Sequence, residues 1–141
     1  MAKFISTDWK VVVNGVDLSD HADEIDAPME KEQVDVSGFG GTREFLPGIE
    51  DATITVEFIQ DFGSSKVHAT IYPLYSGGST FPLYIQPSRT SGTSATNPIC
   101  GGTASVYTYN GGAASLNEVS KISVDFKPAP GSHFTWGTVA I

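Results

Sequence analysis

Short runs of alternating or β-branched residues, each closed off by a Gly or Pro cluster, limit this chain more than anything else in it. The clearest is Trp9-Lys-Val-Val-Val13, then Asn14-Gly15, then Val16-Asp-Leu18. Asn-Gly between two β-branched runs is the sequence of a two-residue type I′ hairpin, because both turn residues must adopt positive φ. Residues 52–58 (ATITVEF) alternate Ile54, Val56 and Phe58 with Thr53, Thr55 and Glu57, which is the pattern of a strand with one buried face. Phe81–Gln86 and residues 99–109 read as strands. So do residues 116–127, in which Ile122, Val124 and Phe126 alternate strictly, and a short strand at 134–136 closes the series. Gly 15 and Pro 8 in 141 residues reinforce a turn-rich β chain.

Residues 22–36 are acidic and hold Pro28 mid-stretch, which argues against a helix there. Ile25, Ala27 and Met29 alternate with polar neighbours, as do Val34 and Val36. The reading is one exposed or edge strand, with Pro28 at a position that needs no ladder donor. The connection 37–51 (SGFGGTREFLPGIED) reads as a long loop that carries Phe39, Phe45, Leu46 and Ile49. A connection of that length is usually functional, and apolar residues on it mark a protein contact or a flap over the core. Arg43, Glu44, Glu50 and Asp51 suit the polar rim of such a contact.

One helix is expected after residues 61–63, with Ser64 or Ser65 as N-cap and Val67, Ile71 and Leu74 on one face. Pro73 is expected to shorten it. Residues 87–98 read as a flexible polar loop. The whole, residues 1–141, is a single mainly β domain. The expected fold is an antiparallel β-sandwich of seven or eight strands with one flanking α-helix.

Charge is unevenly placed. Residues 1–61 hold 14 acids and 4 bases, and residues 62–141 hold 2 acids and 4 bases, for a net −8. Eight acids fall within 17–35 against Lys31 alone. Such a surface does not grip phosphates, which need clustered Lys and Arg. An acidic face also keeps a chain dispersed in water. No apolar run is long enough to cross a bilayer, and the N-terminus lacks the apolar region of a secretory signal. One cysteine, Cys100, allows no internal disulfide.

Catalytic spacing is not found. His21, His68 and His133 are scattered without metal-ligand spacing, and no EF-hand loop accompanies Asp23, Glu24 and Asp26. Gly38-Phe-Gly-Gly41 lacks the phosphate-binding pattern, and neither G-x-x-x-x-G-K-[ST] nor G-x-S-x-G occurs. The expectation is a non-enzyme with no cofactor and no metal. Trp9, Tyr107, Tyr109 and Trp136 offer a second reading, as stacking aromatics of a carbohydrate-binding β-sandwich, unless they pack the core.

The blocks WKVVVNGVDLSD (9–20), VDVSGFG (34–40), LPGIED (46–51) and TVEFIQDF (55–62) together resemble the tail tube (major tail) proteins of long-tailed bacteriophages, especially those of actinobacterial hosts. Later blocks at 73–75, 85–87 and 97–98 fit the same likeness. The resemblance implies a virion protein of the phage tail, made in the host cytoplasm. It implies six-fold rings, stacked into a tube, whose inner strands merge into one barrel. DNA passes through without specific binding, and tail terminator, tape measure and tail-tip proteins are the partners. It implies bore-lining carboxylates on 22–36 (Asp23, Glu24, Asp26, Glu30, Glu32), with 52–58 as the alternative lining strand. It implies inter-ring contacts from 37–51 through Phe39, Arg43, Glu44, Phe45, Leu46 and Ile49. A capsid decoration or head–tail joining protein is the alternative within the same structural class.

Overall fold

A computed structural model describes residues 8–89, 92–95 and 97–138. Those residues form ten strands and one α-helix. The strands are β1 (Lys10–Val13), β2 (Val16–Asp17), β3 (Ala22–Asp26), β4 (Met29–Asp35), β5 (Phe45–Ala52), β6 (Ile54–Ile59), β7 (Phe81–Gln86), β8 (Ile99–Tyr109), β9 (Lys121–Pro128) and β10 (Thr135–Gly137), and the helix is α1 (Val67–Gly77).

Strand β8 organises the rest. Its first half pairs with β7, from Ile85↔Cys100 to Phe81↔Ala104, while β10 pairs on its other side. Its second half pairs with β9, from Ala104↔Pro128 to Tyr109↔Val124. One antiparallel sheet therefore runs β2-β1-β7-β8-β10 and a second runs β8-β9-β6-β3, joined where β8 passes from one to the other at Ala104. A register shift between Val106 and Thr108 bends the strand just past that point. A strand shared between two sheets is how a β-sandwich turns a corner without breaking its hydrogen bonding.

The two inner faces meet over one core. Val11, Val13, Leu83 and Ile85 come from the first sheet. Ile54, Val56, Phe58, Ile122, Val124 and Phe126 come from the second. Phe81 and Phe126 meet edge-to-face at 5.9 Å across them. Phe126 is fully buried, so cutting it to alanine should cost about 3–5 kcal/mol. Val67, Ile71 and Leu74 place the helix on the same core, at the i, i+4, i+7 spacing read from the sequence. The expected hairpin also forms: Asn14 and Gly15 both have positive φ, 50° and 81°, and Val13 pairs with Val16.

Four expectations need correction. Residues 22–36 are not one strand. The ladder breaks at Ala27-Pro28, so β3 stays in the second sheet while β4 leaves it. Pro28 cannot donate, but its carbonyl accepts from Thr53 N–H at 3.2 Å, pinning the exit point. Residues 37–51 are not a loop throughout, because β5 pairs with β4 from Met29↔Ala52 to Asp35↔Phe45. Pro47 is tolerated in β5 because the register shifts between Lys31 and Gln33, leaving the ladder irregular beside it. The strand expected at 116–127 begins only at Lys121. The helix starts after Lys66, without a side-chain cap, and continues through Pro73 to Gly77. Pro73 and Ala69 are exposed, so water can reach the Ala69 carbonyl that the missing N–H leaves free.

In the stretch 87–98, residues 90, 91 and 96 lie outside the described residues. The described part folds over buried Asn97, whose side chain accepts from Ser88 N–H and donates to the carbonyls of Ser88 and Gly92.

Cys100 is buried in the core, and that burial pushes its thiol up to about 11. At about pH 8 only on the order of a thousandth of it is thiolate, the reactive form. A disulfide thiol reagent should therefore label the folded chain orders of magnitude more slowly than the chain in denaturant. Labelling at the denatured rate under native conditions would show that β8 opens readily at this point.

Candidate self-assembly surfaces

The hairpin β4–β5 stands apart from the sandwich as an arm. Every residue of β4 is exposed, and in β5 only Ala52 is buried. Met29, Val34, Val36, Phe39, Phe45, Leu46 and Ile49 are all exposed on it, Phe39 completely. The register puts Val34 opposite Leu46 on one face of the hairpin, and Phe45 on the other. Both faces are therefore partly apolar. An isolated two-stranded hairpin is marginally stable in water, and an exposed apolar patch of this size marks a contact surface. The tip is braced locally: Asp35 accepts from Arg43 Nη1 at 3.1 Å and from Ser37 N–H at 2.9 Å, and Ser37 Oγ accepts from Glu44 N–H. The Ser37 N–H is the main reason the Asp35 carboxyl titrates below its ordinary value.

All six residues expected at inter-subunit contacts lie on this arm. Phe45, Leu46 and Ile49 are on β5, and Phe39, Arg43 and Glu44 are at its tip. Met29 and Val34 of β4 and Val36 just beyond it belong with them and were not in that set; their period-2 alternation was the available signal.

The second surface is the outer face of the sheet β8-β9-β6-β3. Registers set Asp26 beside Thr55 and Asp125, and Glu24 beside Glu57 and Ser123. Thr55 donates to Asp125 at 2.9 Å. Lys121 pairs with Asp23 at 3.0 Å and Lys127 with Asp51 at 3.3 Å. The Asp23 carboxylate is the chief reason Lys121 titrates above its ordinary value. The face is polar and acidic on balance, and like charges oppose each other directly at Glu24–Glu57. Of the carboxylates expected to act together, the structure brings together Asp23, Glu24 and Asp26. Glu30 and Glu32 depart on the arm. Glu57, on the strand given as the alternative lining, and Asp125 take their place through the pairing of β3 with β6 and β6 with β9.

The third surface is a pair of strand edges. In this sheet β3 pairs only with β6, and among the described residues nothing pairs with the outer side of residues 105–109 of β8. Unpaired edges of this kind are hazards in a monomer and templates for another chain.

Among the described residues, no group of three His, Cys, Asp or Glu is placed to hold a metal ion. No helix there is long and apolar enough to cross a membrane. Of the aromatics offered as a stacking platform, Trp9 and Tyr109 pack against the core. Tyr107 and Trp136 remain exposed, on β8 and β10.

This mainly β fold with one helix resembles those of solved tail-tube chains. The chain superposes on the SPP1 tail tube with a TM-score of 0.75 at 12% identity, covering 98% of this chain and 81% of that one. It matches the tail of an empty gene transfer agent particle with C6 symmetry at 0.62 and 15% identity, over 85% and 83% of the two chains. It matches the sheath–tube complex of an extracellular contractile injection system at 0.61 and 11%, over 94% and 89%. No protein-family model matches the chain, and no curated protein matches it.

Proposed function

We propose that copies of this chain join edge to edge through β3 and residues 105–109 of β8, close into a ring and stack into a tail tube. One observation carries the reading. The second sheet has four strands in strict antiparallel alternation and two open edges, so its edges run in opposite directions. A neighbour's β8 laid against β3 continues the alternation without interruption. The ring then closes as a barrel with no free edge. The likeness to tail-tube chains supports this arrangement. Six copies per ring, the symmetry of the gene transfer agent tail, is the number adopted here. The setting is the tail of a virion, and the resemblance of the sequence blocks to tail proteins of phages of actinobacterial hosts supports it. Terminator, tape measure and tail-tip proteins are the partners at its ends and in its bore, and the role is structural, not enzymatic.

In that ring the acidic face of the sheet lines the bore. Six copies at −8 carry −48 formal charges, and Glu24, Asp26, Glu57 and Asp125 lie on the lining surface. Carboxylates there repel phosphates within a Debye length of about 8 Å, so DNA slides through without sticking.

Three measurements test the reading. Microscopy of the purified chain should show rings or tubes. Amide hydrogen exchange at 22–26 and 105–109 should then slow by orders of magnitude on assembly, and edge amides that exchange at the monomer rate inside intact particles would overturn the shared barrel. Tails carrying Glu24→Lys, Asp26→Lys and Glu57→Lys together should assemble but eject DNA slowly. Unchanged ejection from intact variant tails would remove the lining role from this face.

A further inference from the structure

Resting on the ring reading above, we infer that Gln60, Tyr109 and His68 form a one-way hydrogen-bond relay that positions the end of the open β8 edge, and that charging His68 releases it. Tyr109 is the last residue of that edge. Gln60 reaches its hydroxyl from the end of β6, and His68 reaches it from the helix. Gly111 packs against its ring, since a Cβ there would lie 2.8 Å from Tyr109 Cε2.

The direction of each bond follows from groups that can play only one part. Gln60 Oε1 accepts from the Asp61 N–H at 3.0 Å, and Gln60 Nε2 donates to the Gly111 carbonyl at 2.8 Å. A backbone N–H only donates and a carbonyl only accepts, so the Gln60 amide cannot be turned over. Its other N–H donates to the Tyr109 hydroxyl at 3.2 Å. That hydroxyl has one proton to give. Among the described residues its only other polar partner is His68 Nδ1, at 2.7 Å. Tyr109 therefore donates to Nδ1, and His68 is a neutral ring with its proton on Nε2.

Aromatic rings surround the relay. His68 is half-buried, stacks on Tyr72 at 5.2 Å and leans on Phe62 at 5.0 Å, while Tyr109 meets both Tyr72 and Tyr75. The titratable groups against the His68 ring are thus Tyr72 from its own helix and Tyr109 from β8. Asp61, ahead of the helix, accepts the His68 backbone N–H through its carbonyl but turns its carboxylate to the Gly63 N–H and to His21. Lys66 is two positions before His68, a spacing that does not bring side chains together on a helix, and it acts on Asp20 and Asp61. Glu118, ahead of β9, and Lys121 on it belong with Asp23 and Glu57.

Charging His68 puts a proton on Nδ1. Three protons then converge on one phenol oxygen: those of Nδ1, of Gln60 Nε2 and of the hydroxyl itself. The hydroxyl must turn away, and no second acceptor for it lies among the described residues. A proton that costs the closed form a hydrogen bond favours the open form as pH falls. What opens is the end of the seam. Tyr109 pairs with Val124, and the next amide, Asn110 N–H, donates to the Ser123 carbonyl at 3.3 Å. Until a neighbour's β3 arrives, the outer side of this edge has no strand on it, so the relay is what holds its last residue in place for closure. Ring closure is thereby favoured at neutral pH and weakened in acid. His21 works in the other direction. It faces the Asp61 carboxylate at 2.9 Å and gains a charged partner when it is protonated, so an acid effect carried by His21 would tighten the fold.

The test is nitrogen NMR of the full-length chain with labelled histidine, between about pH 8 and about pH 5, the range in which histidine changes charge. At the upper end His68 Nδ1 should show the shift of an unprotonated nitrogen and Nε2 that of a protonated one. As His68 charges, protection of the Asn110 amide, taken relative to the unfolded exchange rate at each pH, should fall about tenfold, the worth of one hydrogen bond. Tyr109→Phe should show the lower protection throughout. His68→Asn, whose Oδ1 falls near the place of Nδ1 and does not titrate, should keep the higher protection in acid. Rings of the unmodified chain should dissociate in acid at concentrations where His68→Asn rings persist. A proton on Nδ1 at the upper pH, or protection that does not change as His68 charges, would overturn the relay. Rings equally stable across the range would overturn its hold on the seam alone, whereas failure of the unmodified chain to form rings at the upper pH would remove both that hold and the ring reading.

Discussion

Joining Met29 to Ala52 through an Asn-Gly turn, in place of residues 30–51, should leave a folded chain that no longer forms tubes. The register supports the graft, since Met29 and Ala52 are already cross-strand partners and Asn-Gly is the favoured two-residue turn between paired strands. The fold should survive because the arm contributes nothing to the core apart from Ala52, which the deletion keeps. The melting temperature should move by no more than about 4 °C. Assembly is a different matter. The deletion removes six of the seven apolar side chains of the arm, and Met29 alone is left at its base. Burying only two of them in a neighbour is worth about 3 kcal/mol, which is about a hundredfold in affinity per contact. The loss recurs at every junction of a stack. Sedimentation velocity and microscopy at matched concentration would show it as rings or monomers where the intact chain should give tubes. Tubes of normal length from the armless chain would end the arm's part in stacking.

How much of this was legible beforehand varies with how local the determining physics is. The Asn14-Gly15 hairpin needs only two residues in positive φ, and the sequence names both. Strand β6 and the helix face Val67, Ile71, Leu74 announce themselves by period alone. Strand β5 does not, because Pro47-Gly48 reads as a break. It becomes a strand only because β4 lies opposite it and the register slips by a residue at that point. The split of 22–36 at Pro28 is likewise decided by partners, with β6 holding one side and β5 the other. The acidic face was half visible. Glu24 and Asp26 stood out in an acid-rich stretch, but Glu57 and Asp125 join them only across three paired strands.

Gly101→Ala should be among the most damaging single-methyl changes the chain can receive. A Cβ at Gly101 would lie 2.0 Å from the Leu83 carbonyl oxygen and 2.6 Å from Tyr84 Cα. Both are backbone atoms of β7 and cannot swing aside. Gly101 also sits between Tyr84 of β7 and Thr135 of β10, so relief on one side presses on the other. The strands must separate, at a cost of about 3 kcal/mol or more, a large part of the 5–15 kcal/mol that holds a typical domain together. Gly112→Ala is the matched control, because a Cβ there meets nothing within 4 Å, and it should shift the urea midpoint hardly at all. A Gly101 variant as stable as that control would mean that β7 and β8 are not held in this register. The consequence for assembly follows from the same strand. Cys100 and Gly101 of β8 are clamped between β7 and β10, and that clamp aims residues 105–109 outward as the open edge on which the proposed ring closure depends. A single methyl group placed six residues from Tyr107, touching no surface that another copy would meet, should therefore abolish rings by loosening the strand that presents their seam.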